Sequence, residues 1–157
     1  MTIDEAALEA RKRASMGQLL MKAARLLDER AVARVAARAA KGPRLRTAHT
    51  RLLPHIAFEG TRLVDLARKI GVTKQAVSQT VGEMEEMGVV ELVVDPDDAR
   101  AKLVRFTPRG AQAIAQGLSV LGEIEAELAK RVGKKRIHEL RETLAMVVDA
   151  LEPREPP

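Results

Sequence analysis

The sequence predicts a mostly α protein with a small β-hairpin wing: a winged helix-turn-helix flanked by dimerisation helices. Three observations predict it. Apolar residues recur at steps of three and four toward both ends of the chain, as they do on one face of a helix. Ala67, Gly71 and Val77 stand at the spacing of a helix-turn-helix. Two β-type runs, VVELVV and LVRFTP, bracket an Asp- and Pro-rich stretch in the pattern of a hairpin.

Composition narrows the function. The 157 residues fit one domain, and 46% hydrophobic content supplies a core. Lys plus Arg number 27 against 22 Asp plus Glu, a net charge of +5 that fits a polyanionic partner. Cysteine is absent, which excludes disulfides, thiol catalysis and thiolate zinc sites. Trp and Tyr are absent too, leaving Phe58 and Phe106 as the only aromatics, so single-strand binding on stacked rings is not expected. No apolar run approaches the roughly 20 residues that span a bilayer. The opening MTIDEAALEARKRAS carries acids ahead of its basic cluster and no signal-peptide core. A cytoplasmic protein with no membrane partner is the expectation.

Residues 1–58 read as amino-terminal helices for dimerisation and scaffold, 59–107 as the winged helix-turn-helix, 108–152 as carboxy-terminal dimerisation helices, and 153–157 as a tail. The first stripe runs from Met16 through Leu19, Leu20, Ala23, Leu26 and Leu27. Gly42-Pro43 ends that helix, and Arg44 to Phe58 forms a second, kinked at Pro54. Downstream, Thr107-Pro108 opens a helix with a hydroxyl cap and proline at the first position. That helix carries Ala111, Ile114, Leu118, Leu121, Leu128 and Val132, with Glu125 interrupting the stripe. Gly133 ends it, and a last helix repeats the pattern at Ile137, Leu140, Leu144, Val147 and Leu151. Such stripes need a cover, either the rest of the chain within one small helical domain or a second subunit. The flanking helices look long for the middle segment, so a second copy is the expectation.

In the middle segment, Leu63, Leu66, Ala67 and Ile70 share one face of a helix that Gly71 breaks. Thr73 caps the next helix. The small Ala67 lets the two helices approach, Gly71 permits a left-handed turn, and Val77 locks the second helix onto the first. At about 100° per residue, Val77, Val81 and Met84 face inward while Lys74, Gln75, Ser78, Gln79 and Gly82 face out. The exposed face of that helix's first two turns is therefore cationic, amide- and hydroxyl-bearing, and free of acids. Glutamine and lysine can hydrogen-bond base edges in the major groove, and serine suits a base or a phosphate. Glu83, Glu85 and Glu86, in the last turns, are expected to point away from DNA or be kept from phosphates. In the hairpin, Val104 and Phe106 alternate on one face and pack on the helix pair. The tip offers Arg100 and Lys102 on a mobile loop, where a guanidinium suits a narrow, negative minor groove. Asp98 holds the wing in shape and orients Arg100, and Asp95 and Asp97 are likewise structural.

These residues carry a family likeness. The run from Leu63 to Gly110 resembles the winged helix-turn-helix of the MarR family of bacterial and archaeal transcription regulators. DPDDARAKLVRFTPRG (95–110) is similar to the family's wing signature, an Asp, one residue, an Arg, then a strand ending in an apolar residue and Thr-Pro-x-Gly. TKQAVSQTVGEMEEMGVVE (73–91) is similar to its recognition helix and the exit into the wing. The resemblance implies an obligate homodimer on double-stranded DNA, at a pseudo-palindromic operator. It also implies repression relieved by a small-molecule effector, frequently anionic or phenolic. It places Lys74, Gln75, Ser78 and Gln79 in the major groove and Arg100 in the minor groove. Thr73 takes a backbone phosphate or caps the helix. One departure concerns the position after Glu91, where many relatives carry arginine and this chain has Leu92-Val93-Val94. A second is the near absence of aromatics, which differs from a typical aromatic-rich effector pocket.

Other constellations carry less. His49 and His55, six apart, fall about 120° apart on a helix, and His138 stands alone, so satisfied or solvated histidines are expected and no metal site. No Gly-rich phosphate loop, nucleophile elbow or metalloprotease helix occurs, and Ser15 and Ser119 lack His/Asp partners. Neither a cofactor nor an enzymatic activity is expected. Arg11, Lys12 and Arg13, with Arg30, Arg34 and Arg38, read as a solvated helix face. Arg44 and Arg46 open the next helix against its dipole. The alternative to a DNA-binding regulator is a winged-helix protein–protein interaction module docking through the same outer face. Lys74, Arg100 and Lys102 favour DNA.

Overall fold

A computed structural model describes residues 4–38 and 44–152. The helix end at Gly42-Pro43 and the 153–157 tail lie outside the described residues. In chain order the elements are α1 (Glu5–Ala14), α2 (Met16–Arg38), α3 (Thr47–Thr50), a 3-10 turn (Leu53–His55), β1 (Thr61–Arg62), α4 (Leu63–Ile70), α5 (Lys74–Glu86), β2 (Val90–Asp95), β3 (Asp98–Phe106), α6 (Pro108–Val132) and α7 (Lys134–Leu151). They fall into two compact units divided between Leu118 and Ser119.

The first helix has a local cause that the apolar pattern does not reveal. Asp4 caps α1 by accepting from the Ala7 amide at 3.1 Å, and Glu5 at its start and Arg11, Lys12 and Arg13 at its end complement the helix dipole. The predicted kinked helix over 44–58 is instead two short turns, α3 and the 3-10 turn. Pro54 lacks the amide hydrogen that would continue the ladder, and the tighter turn serves burial by setting Leu52 and Ile56 into the core.

The core of the first unit joins Leu52, Ile56, Leu66, Ala67, Val77, Val81, Met84, Val89, Val90, Val104 and Phe106. Ala67, Gly71 and Val77 act as their spacing predicts. Ala67 and Val77 are buried, and Gly71 ends α4 in the left-handed region at φ 70°. The Val72 amide closes the turn on the Ala67 carbonyl at 3.1 Å.

The wing is a three-stranded antiparallel sheet of order β1-β3-β2 rather than a bare hairpin. Thr61 and Arg62 pair with Val104 and Leu103, a strand too short to show any two-residue period in sequence. Arg100 and Lys102 lie within β3 and not on a mobile loop, because the turn is only Pro96-Asp97. Asp95 anchors that turn. Its buried carboxylate accepts from the Asp97 amide at 2.9 Å and from Arg62 Nε at 2.6 Å, joining β1 to the end of β2. The Asp97 amide, and after it the Arg62 guanidinium, hold the Asp95 carboxyl below the usual carboxylate range against the opposing effect of burial.

The helix start at Thr107-Pro108 is built as the motif predicts. Thr107 Oγ1 accepts from the Gly110 amide at 2.9 Å and donates to the Gly88 carbonyl at 2.6 Å, fastening α6 to the turn before β2. A methyl group on Gly110 would stand 1.8 Å from the Val89 carbonyl oxygen, so only glycine lets the helix start lie this close to the strand. In the second unit, Gly133 turns the chain at φ 107° and Arg141 pairs with Glu125, tying α7 to α6.

Two expectations follow. Gly110→Ala should lower stability by about 1–3 kcal/mol, as overpacking does; an unchanged urea midpoint would contradict the close approach. Asp95→Asn should lower the thermal midpoint at neutral pH. Because the folded carboxyl is held below its ordinary value of about 3.9, this contribution is complete above that pH and fades as acid protonates Asp95. A wild-type advantage persisting undiminished to pH 2 would contradict the ion pair.

Candidate nucleic-acid interface

The outer face of α5 is open. Lys74, Gln75, Ser78 and Gln79 are exposed and together line one shallow depression, while Val77, Val81 and Met84 bury the opposite side. The division is the one the 3.6-residue period predicts. Thr73 caps the helix, its hydroxyl oxygen accepting from the Ala76 amide at 3.2 Å, and no acid stands in the first turn. That helix start, with its positive dipole end and unspent amides, favours an anion.

The wing extends this surface from another element. Lys102 alternates in step with Val104 and Phe106 along β3 and emerges exposed past the end of the core, and Arg100 is exposed two residues further on, where the β2–β3 register shifts. Asp98 accepts the Arg100 backbone amide at 3.1 Å. The stronger anchor is Asp95. Three nearby aspartates cannot be ranked by composition, and only the fold shows which one meets Arg62.

Residues 61–110 hold 8 basic and 8 acidic residues, yet ion pairing does not spread that balance evenly. Arg62 is spent on Asp95, Arg68 on Asp65 and Arg105 on Glu91. Lys69, Lys74, Arg100 and Lys102 make no ion pair among the described residues. Glu85, Glu86, Asp97 and Asp98 are likewise in no ion pair among the described residues, so it is placement that leaves the first two turns of α5 positive.

Along α5, Glu83 is the first acid after Lys74, Gln75, Ser78 and Gln79, and the structure secures it. His49, on α3 and buried, brings Nε2 within 2.8 Å of Glu83 Oε2, and Arg46 pairs with the same oxygen. His49 Nδ1 accepts the Arg46 amide at 3.0 Å. With Nδ1 accepting, the ring hydrogen belongs on Nε2, which donates to Glu83. The His49 hydrogen bond and then Arg46 hold the Glu83 carboxyl below the usual range. His49 is thus a satisfied histidine; its partner, 34 residues away, leaves no local signature. His55 is only half-buried, and its carbonyl accepts from Thr61 Oγ1 at 3.3 Å. No helix among the described residues is long and apolar enough to cross a membrane.

Comparison with known proteins agrees with this geometry. Residues 45–101 match the model of the MarR family. The LexA repressor of Deinococcus radiodurans is 31% identical over 67 residues, which cover 43% of this chain and 30% of that protein's length. Wild-type MarR from E. coli superposes with a TM-score of 0.66 at 23% identity, over 85% of this chain and 96% of that one. CouR bound to a 23-mer DNA duplex superposes with a TM-score of 0.62 at 17% identity, over 94% and 98% of the two chains. CouR from Rhodococcus jostii bound to p-coumaroyl-CoA gives 0.64 at 21% identity, over 90% and 96%. The segment that matches the MarR family model, residues 45–101, runs from just before α3 into β3, inside a winged-helix fold that the chain shares with these structures.

Proposed function

We propose that the protein is a homodimeric, sequence-specific double-stranded DNA-binding regulator, acting as a repressor whose hold on a pseudo-palindromic operator is relieved by a small ligand. The observation that carries the DNA reading is the acid-free outer face of the first two turns of α5, with Lys74, Gln75, Ser78 and Gln79 exposed together and Arg100 and Lys102 exposed on β3. Lys74, Gln75, Ser78 and Gln79 enter the major groove, where amide and ammonium groups read base edges. Arg100 enters the adjacent minor groove, where Lys102 adds positive charge, while Thr73 and the amides around it meet the phosphate backbone. The CouR–duplex complex supports the reading by fold, and the likeness to a repressor supports it by sequence.

Exposed apolar side chains support the dimer. Leu8, Met16, Leu19 and Met21 are exposed in the first unit, as are Leu140, Met146, Val148 and Leu151 in the second. Such helix faces call for a cover, and a second copy is the partner that presents matching ones. Relief by a small ligand rests on the CouR complex with p-coumaroyl-CoA. Only Phe58 and Phe106 could supply rings to such a site, and these two rings already pack together with centroids 5.5 Å apart.

Sedimentation of the purified chain should give a dimer; a stable monomer at micromolar concentration would refute the assembly. On a duplex selected from genomic fragments, Arg100→Ala should weaken binding and flatten the salt dependence by about one counterion, so an unchanged slope would remove Arg100 from the phosphate-lined groove. Gln75→Ala or Gln79→Ala should relax preference at particular base pairs by about 1–3 kcal/mol, whereas a uniform loss over all sequences would speak against base readout.

A further inference from the structure

We propose that Arg46 and His49 keep the outer face of α5 readable by DNA through withdrawing the charge of Glu83 from it, which makes His49 a positioning residue for duplex binding. The inference deepens the DNA-binding reading and rests on it. Glu83 follows Gln79 by one turn, and the rotation of about 40° between them leaves it on the margin of the stripe that holds Gln75 and Gln79. Glu85 and Glu86 occupy the last turn, further from the helix start. An unheld carboxylate on that margin would confront phosphates beside the groove.

The arrangement that prevents this is specific in its chemistry. His49 is the third residue of α3, where a capping-box side chain accepts the amide of the residue before the helix. Its Nδ1 performs that task for Arg46, at 3.0 Å, and this leaves Nε2–H aimed at Glu83 Oε2, at 2.8 Å. His49 is 1% exposed while the Glu83 side chain is 32% exposed, so the link is partly buried and its histidine end is shielded from competing water. Arg46 joins from the solvent side on the same oxygen. Thr50, the next residue, donates to Asp28 on α2 at 2.6 Å, which fixes the turn carrying His49 from behind.

The test uses fluorescence anisotropy on a selected duplex with the wild type, His49→Ala, Glu83→Gln and the double variant, each checked by circular dichroism for folding. His49→Ala should weaken binding by about tenfold at low salt, with the loss shrinking as salt screens the freed carboxylate. Glu83→Gln should bind at least as tightly as the wild type, and the double variant should regain the affinity that His49→Ala loses. A role confined to packing gives no such rescue, because glutamine at 83 does not replace the missing ring. If His49→Ala does not fold, the exposed Arg46 serves: Arg46→Ala should weaken binding, and adding Glu83→Gln should reverse the loss. Wild-type affinity in His49→Ala or Arg46→Ala, or a loss that Glu83→Gln leaves in place, overturns the proposal. A wild type that ignores every duplex instead overturns the DNA reading, and this inference with it, which is a separable result.

Discussion

Everything in the first unit follows from the rotation of one helix. Val77, Val81 and Met84 are essentially fully buried, and burying a side chain of this kind is worth roughly 1.5–3 kcal/mol. Turning α5 by a third of a revolution would forfeit most of that, whereas its exposed lysine, serine and glutamines gain little from any one orientation in water. The core therefore decides the rotation, and the chemistry of the outer face is its consequence. Leu66 and Ala67 of α4 and Val104 and Phe106 of β3 close the same core from the other sides.

The wing obeys a related logic in extended chain. The face of β3 that is apolar at Phe106 and Val104 becomes cationic at Lys102 as the strand leaves the core, and Arg100 is exposed beyond it where the register shifts. Asp95 and Arg62 then keep the projecting end in register with β1. Asp95, Asp65, Glu91 and Glu83 are consumed in ion pairs with Arg62, Arg68, Arg105 and Arg46, and none of these acids belongs to the first two turns of α5. Placement, and not net charge, gives the surface its sign.

Much of this was legible in the sequence because it depends on short-range periodicity. The inward and outward faces of α5, the left-handed turn at Gly71, the cap at Thr107 and the buried face of β3 each follow from steps of two, three or four residues. Family likeness extended the reading to nearly the whole chain. What escaped was set by contacts distant in sequence. β1 has two residues and exists only because β3 pairs with it. The stretch from Arg44 to Phe58 has helical composition, but Pro54 and the burial of Leu52 and Ile56 divide it into turns. Arg100 and Lys102 looked like loop residues because the Asp/Pro-rich run is longer than the turn it makes. His49 and Glu83 meet across α3 and α5, and no local pattern announces the pair.

Hydroxyl-radical footprinting of the protein on a genomically selected duplex tests the central claim most directly, since it asks whether two outward α5 faces engage one DNA together. The account predicts two protected patches related by pseudo-twofold symmetry, with centres about one helical turn, on the order of 10 bp, apart. A single isolated patch, or protection without any preferred position, would contradict it.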